Sequence, residues 1–152
     1  MNIQPANETH VSACDQIARE WESALKGCLG WVRKDSMRNA IAADMMNVAL
    51  DTEGSALGFV IWSTPTRGVN KGWHVIHSLA VDVVYAGEGI GTALVQSVPR
   101  PIRLKCPLKV RVGKTERENS ANEFYAKVGF TLAGTDTTKA GRLLNVWELS
   151  SR

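Results

Sequence analysis

The sequence predicts a single domain of the α/β or α+β class, built on a mixed β-sheet with few helices. Its 152 residues are enough to bury a core within one domain. Apolar residues recur at helical spacing in some segments and alternate with polar residues in others. No repeat, low-complexity tract or long linker divides the chain, so we expect residues 1–152 to form one unit.

The first half of the chain predicts an edge strand, two helices and a hairpin. Residues 1–4 form a weak strand pattern, and apolar residues at helical spacing predict a helix that starts at Val11. A second, short helix is expected over residues 36–43. Two apolar runs, 46–50 and 56–63, flank turn-forming residues and should pair as an antiparallel hairpin.

The second half predicts strands and helices in alternation. The expected elements are a strand over 73–81, a helix over 90–98, a strand over 108–112, a helix over 119–129, and a hairpin of 130–135 with 143–149. The first of these strands is apolar on both faces, which is typical of a central strand. The strand over 108–112 alternates apolar and basic residues, so one face should be basic.

Composition excludes several classes of protein. The chain is 44% apolar and 22% charged, as in a soluble globule, and no apolar run approaches the roughly 20 residues that span a bilayer. The first ten residues lack the features of a signal peptide. Three widely spaced cysteines without a CxxC pair favour reduced thiols and a cytoplasmic location. We expect no metal, because His74 and His77 should point to opposite faces of a strand.

Positive charge is concentrated in one segment. Residues 100–117 hold seven basic residues against one acidic residue, a net charge of +6, whereas residues 1–99 carry a net charge of −3. Two interpretations stay open: the solvated face of a strand with its flanking loops, or a site for a phosphorylated ligand or nucleic acid. The segment contains no aromatic residue on which bases could stack, which weakens the nucleic-acid interpretation.

A glycine-rich turn follows the predicted central strand and precedes a helix. Gly87, Gly89 and Gly91 allow positive φ, so that successive amide groups can line a concave surface and bind an anion. A tight turn without a ligand would use the same glycines. The dinucleotide fingerprint is excluded because it needs glycine at Thr92, and the P-loop is excluded because its first glycine would fall at Leu108.

Two segments resemble the signatures of the GNAT superfamily of N-acetyltransferases. Residues 79–94 resemble its acetyl-CoA-binding motif. Residues 119–130, NSANEFYAKVGF, resemble its second signature, an Asn and then an Ala two residues on, followed by Tyr and Gly-Phe. The resemblance covers residues 73–149, with the two motifs in the family's order. One residue departs from the pattern, because the usual Arg or Gln three residues before Gly89 is Ala86.

The resemblance implies a fold, an activity and a co-substrate. The fold would be a mixed, mostly antiparallel sheet of six or seven strands flanked by about four helices. The activity would be transfer of an acetyl group from acetyl-CoA to a small-molecule or peptide amine, directly and within a ternary complex. No metal and no membrane partner are implied, and a homodimer would be in keeping with the family.

The resemblance also implies roles for individual residues. Tyr125 would be the general acid that protonates the departing thiolate, with a core aromatic as the alternative, and the amide of Val81 would stabilise the oxyanion. Asn119 would orient the pantetheine arm, and by its type it is also suited to cap a helix. The residues expected to bind the rest of the co-substrate through main-chain groups are Val81, Val83, Gly87, Gly89, Gly91 and Thr92.

Several roles stay open at the level of sequence. The candidates for a general base are His77, Asp82, Glu88 and Glu116. A covalent route through Cys106 is disfavoured, because no histidine lies near it in sequence. Residues that could contact the nucleotide end of CoA are Arg100, Arg103 and Lys127. Residues that could line an acceptor cleft are Trp21, Trp31 and Trp147.

Two other functions are compatible with the sequence. The absence of a basic residue at Ala86 admits a non-catalytic acyl-CoA sensor of the same fold. The basic segment admits an acyltransferase that modifies nucleic acid. Thiol release tests the first alternative, and salt-sensitive binding to nucleic acid tests the second.

Overall fold

The computed structural model describes residues 1–24, 33–112 and 114–151. Over these residues the chain forms four α-helices and nine strands, so the predicted mixed α and β class is confirmed. The helices are α1 (Val11–Ala24), α2 (Lys34–Ala42), α3 (Ile90–Gln96) and α4 (Ala121–Val128). The strands are β1 (Asn2–Pro5), β2 (Met46–Leu50), β3 (Ala56–Ser63), β4 (His74–Val81), β5 (Ile102–Pro107), β6 (Lys109–Val112), β7 (Thr115–Glu118), β8 (Thr131–Thr137) and β9 (Leu143–Leu149).

Seven of these strands form the main sheet, in the order β1-β2-β3-β4-β5-β9-β8. Among the described residues, β4 and β5 run parallel and the other neighbouring strands run antiparallel. β4 is the fourth strand of seven, which confirms its prediction as a central strand. β6 and β7 form a separate two-stranded ribbon between β5 and α4.

Each face of the sheet carries its own apolar core. On β3, Phe59 and Ile61 pack with residues of α1 and α2, whereas Val60 and Trp62 pack with residues of α3 and α4. This follows from the two-residue period of a strand, which sends successive side chains to opposite faces. We call these the α1/α2 face and the α3/α4 face.

The start of α1 is determined by its sequence. Asn7 accepts a hydrogen bond from the amide of Thr9 (2.9 Å) and caps a short 3₁₀ turn that leads into the helix. The buried residues of α1 recur at helical spacing: Val11, Cys14, Ile17 and Ala18. The expected stop at Gly27, the third cysteine Cys28, the indole of Trp21 and all of Trp31 lie outside the described residues. No helix in the described part of the chain is long and apolar enough to cross a membrane.

The strand predicted over 108–112 is present but is not part of the main sheet. The predicted strand over 108–112 exists as β6, with Val110 buried and Lys109 exposed, but it lies in the ribbon rather than in the main sheet. The partner of β4 is β5, which we did not predict. Two short runs in which apolar and polar residues alternate lie on either side of Pro107. Which of them joins the main sheet depends on pairing with strands that are distant in sequence, so the local pattern does not predict it.

The prediction that β4 is buried on both faces is wrong at His77. The β3–β4 register shifts between Ile61 and Trp62, so that Ile61 faces Ser78 while Trp62 faces Ile76. His77 is therefore the extra residue of a β-bulge, and its side chain is exposed. A bulge breaks the two-residue alternation, which a sequence pattern alone does not reveal.

Candidate active site

The parallel pair β4–β5 is closed at one end and open at the other. Pairing consists of His74 with Ile102 and Val75 with Arg103. From there β5 continues to pair with β9 as far as Pro107, whereas residues 76–81 of β4 have no pairing with β5. We call the space between residues 76–81 and 104–107 the β4–β5 opening. It extends to the end of β4 at which the glycine-rich turn begins.

The β3–β4 register directs main-chain groups into this opening. The amide of Asp82 donates to the carbonyl of Leu57 (2.8 Å), and Val81 lies opposite Gly58. In an antiparallel ladder, hydrogen-bonded and non-hydrogen-bonded pairs alternate, so the amide and carbonyl groups of Val81 and Leu79 point away from β3. Leu79 was missed by our sequence reasoning, although it lies two residues before Val81 and must share its orientation.

The glycine-rich turn presents an open surface. Gly87 and Gly89 have φ of +85° and +82°, and a Cβ atom at either position would meet no atom within 4 Å. The helical hydrogen bonds of α3 begin at Ala93, whose amide donates to the carbonyl of Gly89 (3.1 Å). The amides of residues 90–92 precede it and have no carbonyl in the preceding turn of the helix. The turn therefore has the conformation and the space needed to bind an anion.

Val83 lies in a short 3₁₀ turn between β4 and the glycines. The carboxylate of Asp82 accepts from the amide of Val84 (3.0 Å) and starts this turn. The carbonyl of Val83 accepts from the amide of Ala86 (3.4 Å). The turn connects the end of β4 to the glycines.

Gly91 has a packing role that sequence reasoning missed. A Cβ atom there would lie 3.2 Å from the ring of Phe124 and 3.7 Å from the side chain of Val81. The absence of a side chain lets α3 approach both α4 and the end of β4. The two motifs that are separate in sequence therefore meet at Gly91.

Tyr125 lies in the core of the α3/α4 face. Its side chain is only 3% exposed, and its ring makes edge-to-face contacts with Phe124 (5.3 Å between centroids) and Phe130 (5.5 Å). The same cluster contains Cys106 of β5, and Val81 of β4 packs against it. Tyr125 therefore belongs to the core that lies against both strands of the β4–β5 opening.

Asn119 ties the start of α4 to the end of β5. It is 3% exposed, and its Nδ2 donates to the carbonyl of Pro107 (3.0 Å) and to Sγ of Cys106 (3.3 Å). Its Oδ1 accepts from the amide of Ala121 (3.1 Å), while the N-cap position itself is Ser120. The predicted cap is thus displaced by one residue, and these contacts of Asn119 hold the scaffold.

Asn122 was not predicted, yet it anchors the same helix. Its Nδ2 donates to the carbonyl of Pro107 (3.0 Å), and its Oδ1 accepts from Asn145 (3.0 Å) and from the indole of Trp147 (2.9 Å). Trp147 is accordingly a buried core residue that fixes α4 to β9, rather than the wall of an acceptor cleft. An Asn three residues after Asn119, on the same helix face, was the available signal.

Arg103, predicted to contact the nucleotide end of CoA, lies at the end of β4 away from the glycine-rich turn. It is ion-paired with Glu148 (2.6 Å), donates to Asn70 (3.0 Å) and stacks over Trp73 at 4.2 Å. Arg103 pairs with Val75. Val75 lies six residues before Val81, about 20 Å along β4. Arg100 precedes β5 at the same end of the sheet. Lys127 is exposed on the last turn of α4.

Four of the seven basic residues in the segment lie opposite an acidic residue, Arg103 among them through its ion pair with Glu148. Lys105 contacts Asp136 at 2.5 Å, and this hydrogen bond, with one from the amide of Thr137, lowers the pKa of the Asp136 carboxyl. In the ribbon, oppositely charged residues face each other across the strands: Lys109 with Glu118 and Arg111 with Glu116. This arrangement supports the interpretation as a solvated face.

The candidate bases occupy very different positions. Asp82 caps the 3₁₀ turn, Glu88 is exposed in the glycine-rich turn, and Glu116 faces Arg111 in the ribbon. His77 lies with Nε2 2.6 Å from Oγ of Ser63, and desolvation by the surrounding atoms lowers its pKa.

The two cysteines in the described part of the chain are shielded from solvent. Cys106 is 1% exposed and Cys14 is fully buried, and burial raises the pKa of the Cys14 thiol to about 12. Neither has the exposure that a covalent nucleophile requires.

Comparison with known proteins places the chain in a family. A model of the acetyltransferase (GNAT) domain matches residues 42–132. The match covers more than half of the chain, so the chain belongs to the GNAT acetyltransferase domain family, whose chemistry is acyl transfer. A comparison with curated protein sequences gives no match.

Solved structures share the fold over most of the chain. The NatC complex bound to Gag peptide and CoA is similar with 17% identity, a TM-score of 0.74, and coverage of 99% of this chain and 98% of that one. Ribosomal-protein-alanine N-acetyltransferase from Brucella melitensis has 16% identity, a TM-score of 0.72, and coverage of 99% and 100%. A Bacillus anthracis str. Ames protein assigned as a streptothricin acetyltransferase, in complex with acetyl coenzyme A, has 21% identity, a TM-score of 0.52, and coverage of 70% and 61%.

Proposed function

We propose that this protein is an N-acetyltransferase that moves an acetyl group from acetyl-CoA directly to an amine, with both substrates bound at once. The observation that carries the proposal is the β4–β5 opening, because it starts at the glycine-rich turn and adjoins the core that holds Tyr125. Membership of the GNAT family supports acetyl transfer with acetyl-CoA as co-substrate. The acceptor would be a small-molecule or peptide amine.

The residues of the turn and of β4 fit this co-substrate. Positive φ and open space at Gly87 and Gly89 leave room for a diphosphate against the main chain. Main-chain groups of Val81 and Leu79 face the opening, where they can bond the amides of the pantetheine arm. The residues that would hold the co-substrate are Val81, Val83, Gly87, Gly89, Gly91 and Thr92. Ala86 supplies no charged contact, so binding would depend on these amides.

The chemistry divides between two groups of the chain. Acetyl-CoA supplies an activated thioester, whose C–S bond breaks as the amine nitrogen bonds to the acyl carbon and gives up one proton to solvent, from which Tyr125 is afterwards reprotonated. The amide of Val81 would stabilise the charge that develops on the acyl oxygen, an effect worth about 3 kcal/mol for one preorganised donor. Tyr125 would give its phenolic proton to the departing sulfur. Its ordinary pKa of about 10 exceeds the roughly 8.5 of a thiol, so the ring's fixed position must supply the advantage.

Asn119 and Asn122 would act indirectly on the same step. Both donate to the carbonyl of Pro107, at the end of β5, and both lie at the start of the helix that carries Tyr125. They would fix the distance between the phenol and the sulfur, so Asn119 would position the pantetheine end through α4. The buried free thiols Cys14 and Cys106 are consistent with a reducing compartment such as the cytoplasm.

A thermal-shift comparison of acetyl-CoA, CoA and NAD tests the proposal. A ligand at 100 times its dissociation constant stabilises a protein by about 2.7 kcal/mol, which shifts Tm by several degrees at this size. We expect stabilisation by acetyl-CoA and CoA, and release of free thiol when an amine is added. Stabilisation by NAD alone would overturn the proposal. Binding of acetyl-CoA without thiol release with any amine would favour the sensor alternative.

A further inference from the structure

The glycine-rich turn has no positively charged side chain of its own. Residues 82–91 include two acidic residues, Asp82 and Glu88, and no basic residue. Glu88 is exposed within the turn. CoA carries a diphosphate and a 3′-phosphate, so the proposed co-substrate would bring several negative charges to this part of the protein. Main-chain amides can bond the diphosphate, but a cation for the other phosphate would have to come from another element.

The ribbon of β6 and β7 carries two basic residues that have no acidic residue opposite them in its described part. Its other two basic residues, Lys109 and Arg111, each lie opposite a glutamate. Arg117 lies opposite Val110, and Lys114 lies in the turn that precedes β7. Both Arg117 and Lys114 are exposed. The excess positive charge of the ribbon is therefore located at these two side chains.

The side chain of Arg117 projects towards the α3/α4 face. The amide of Asn119 donates to the carbonyl of Leu108 (2.9 Å), which continues the pairing of the ribbon by one residue. Asn119 also donates to Sγ of Cys106 (3.3 Å), in the core of the α3/α4 face. Residues two apart on a strand share a face, so Arg117 lies on the same side as Asn119. Val110, opposite Arg117, is only 1% exposed, which fits a face that packs against the domain.

The first turn of α4 connects the ribbon with the glycine-rich turn. A Cβ atom on Gly91 would lie 3.2 Å from the ring of Phe124, and the amide of Phe124 donates to the carbonyl of Ser120 (3.3 Å). The helical rise from Ser120 to Phe124 is about 6 Å. Arg117 lies three residues before Ser120, about 10 Å of extended chain. A nucleotide whose diphosphate lies at the start of α3 can thus place its far phosphate within reach of the long side chain at residue 117.

We propose that the ribbon binds the 3′-phosphate of acetyl-CoA, with Arg117 as the residue that contacts it and Lys114 as a second source of positive charge. The assignment rests on the proposed function, because acetyl-CoA is its co-substrate. A guanidinium can donate two parallel hydrogen bonds to one phosphate, which makes the contact strong and directional. The positive charge that is absent at Ala86 comes from the other side of the β4–β5 opening.

The test compares the binding of CoA with that of dephospho-CoA, which lacks only the 3′-phosphate. Calorimetry should show that the wild type binds CoA about tenfold more tightly than dephospho-CoA. Arg117→Gln should reduce this ratio to about twofold, while its Kd for dephospho-CoA stays within about twofold of the wild type. Arg117→Lys keeps the charge but loses the paired hydrogen bonds, so it should retain a ratio of about fourfold. Lys114→Gln should lower the ratio by about a factor of two.

Arg111→Gln is the matched control. It removes the same charge from the same ribbon, but Arg111 lies opposite Glu116 and alternates in direction with Val110. The ratio of the two dissociation constants should therefore stay about tenfold at a salt concentration of about 0.15 M. Thermal unfolding without ligand is measured for each variant, because Arg117 and Arg111 are both exposed and neither substitution should lower Tm.

Each outcome bears on one of the two proposals. If Arg117→Gln discriminates between CoA and dephospho-CoA as the wild type does, the role of the ribbon is overturned, and thiol release by the wild type leaves the proposed function standing. If Arg111→Gln loses the ratio equally, the net charge of the ribbon and not a contact of Arg117 is responsible, and the assignment is overturned. The assignment is also overturned if Arg117→Gln loses only a salt-sensitive affinity for a single-stranded oligonucleotide. If the ratio depends on Arg117 but no amine releases thiol, the phosphate site is supported and the proposed transfer fails.

Discussion

The two edges of β4 differ in how far they are paired. Along β3 the pairing extends from Ser63 with Val75 to Gly58 with Val81, while along β5 it stops after two pairs. The paired edge is tight, because a Cβ atom on Gly58 would lie 2.7 Å from the carbonyl oxygen of Ala80. The β3 edge therefore holds β4 in place along its length, whereas β5 pairs only with the first two residues of the strand.

We expect the largest effect on activity from a substitution that removes the phenol of Tyr125. Tyr125→Phe keeps the ring contacts with Phe124 and Phe130 but removes the proton donor. We expect kcat for thiol release to fall about 100-fold, while the Kd for CoA stays within twofold. Tyr85→Phe is the matched control, because Tyr85 is the other tyrosine of the chain and is exposed. An unchanged kcat in Tyr125→Phe would leave the ring with a packing role only.

A substitution at the edge of β4 that pairs with β3 should lower the stability of the protein. Gly58→Ala forces a methyl group against the main chain of β4 and Leu94, which should lower the free energy of unfolding by about 2 kcal/mol in urea titrations. The control is Gly54→Ala, in a turn with φ of +83° and open space, where only the backbone conformation costs energy, about 1 kcal/mol. Equal losses in the two variants would contradict the close packing that we describe.

A substitution in the glycine-rich turn should lower the affinity for CoA. Gly89→Ala disfavours the φ of +82° and re-aims the amides that follow it. Loss of one main-chain hydrogen bond to a charged group should raise the Kd for CoA about tenfold, as measured by calorimetry. Gly54→Ala shares the backbone penalty without the site and should keep the wild-type Kd. If both variants bind CoA as the wild type does, the turn does not hold the diphosphate.

We expect the smallest effect from a substitution of Arg103, at the closed end of the β4–β5 opening. Arg103→Ala removes the ion pair with Glu148 and the stacking on Trp73, which should lower stability by about 1 kcal/mol. Because Arg103 lies about 20 Å from Val81, the Kd for CoA should be unchanged. A tenfold weaker affinity for CoA would show that the nucleotide end reaches this part of the sheet.

Much of the fold could be predicted because local patterns were strong. The hairpin of β2 and β3 has the predicted bounds, since two apolar runs flank a turn that only polar and glycine residues occupy. The end of α4 at Gly129, with φ of +113°, follows from the same kind of local signal. These features depend on a few neighbouring residues.

The site was predictable only where a motif marked it. The motifs located Gly87, Gly89 and Tyr125, but they could not show that Gly91 is a contact point between α3, α4 and β4. The bulge at His77 depends on how β3 and β4 align, and the position of Arg103 depends on where β5 pairs. Such features are set by contacts between residues far apart in sequence, so no local pattern carries them.

The ribbon of β6 and β7 is closed at its base. The amide of Asn119 donates to the carbonyl of Leu108 (2.9 Å), so the chain leaves and returns at nearly the same point. The anchoring bonds of Asn119 and Asn122 are made to Pro107, before the ribbon begins. The length and charge of the ribbon can therefore change without altering the bonds that join the start of α4 to the end of β5.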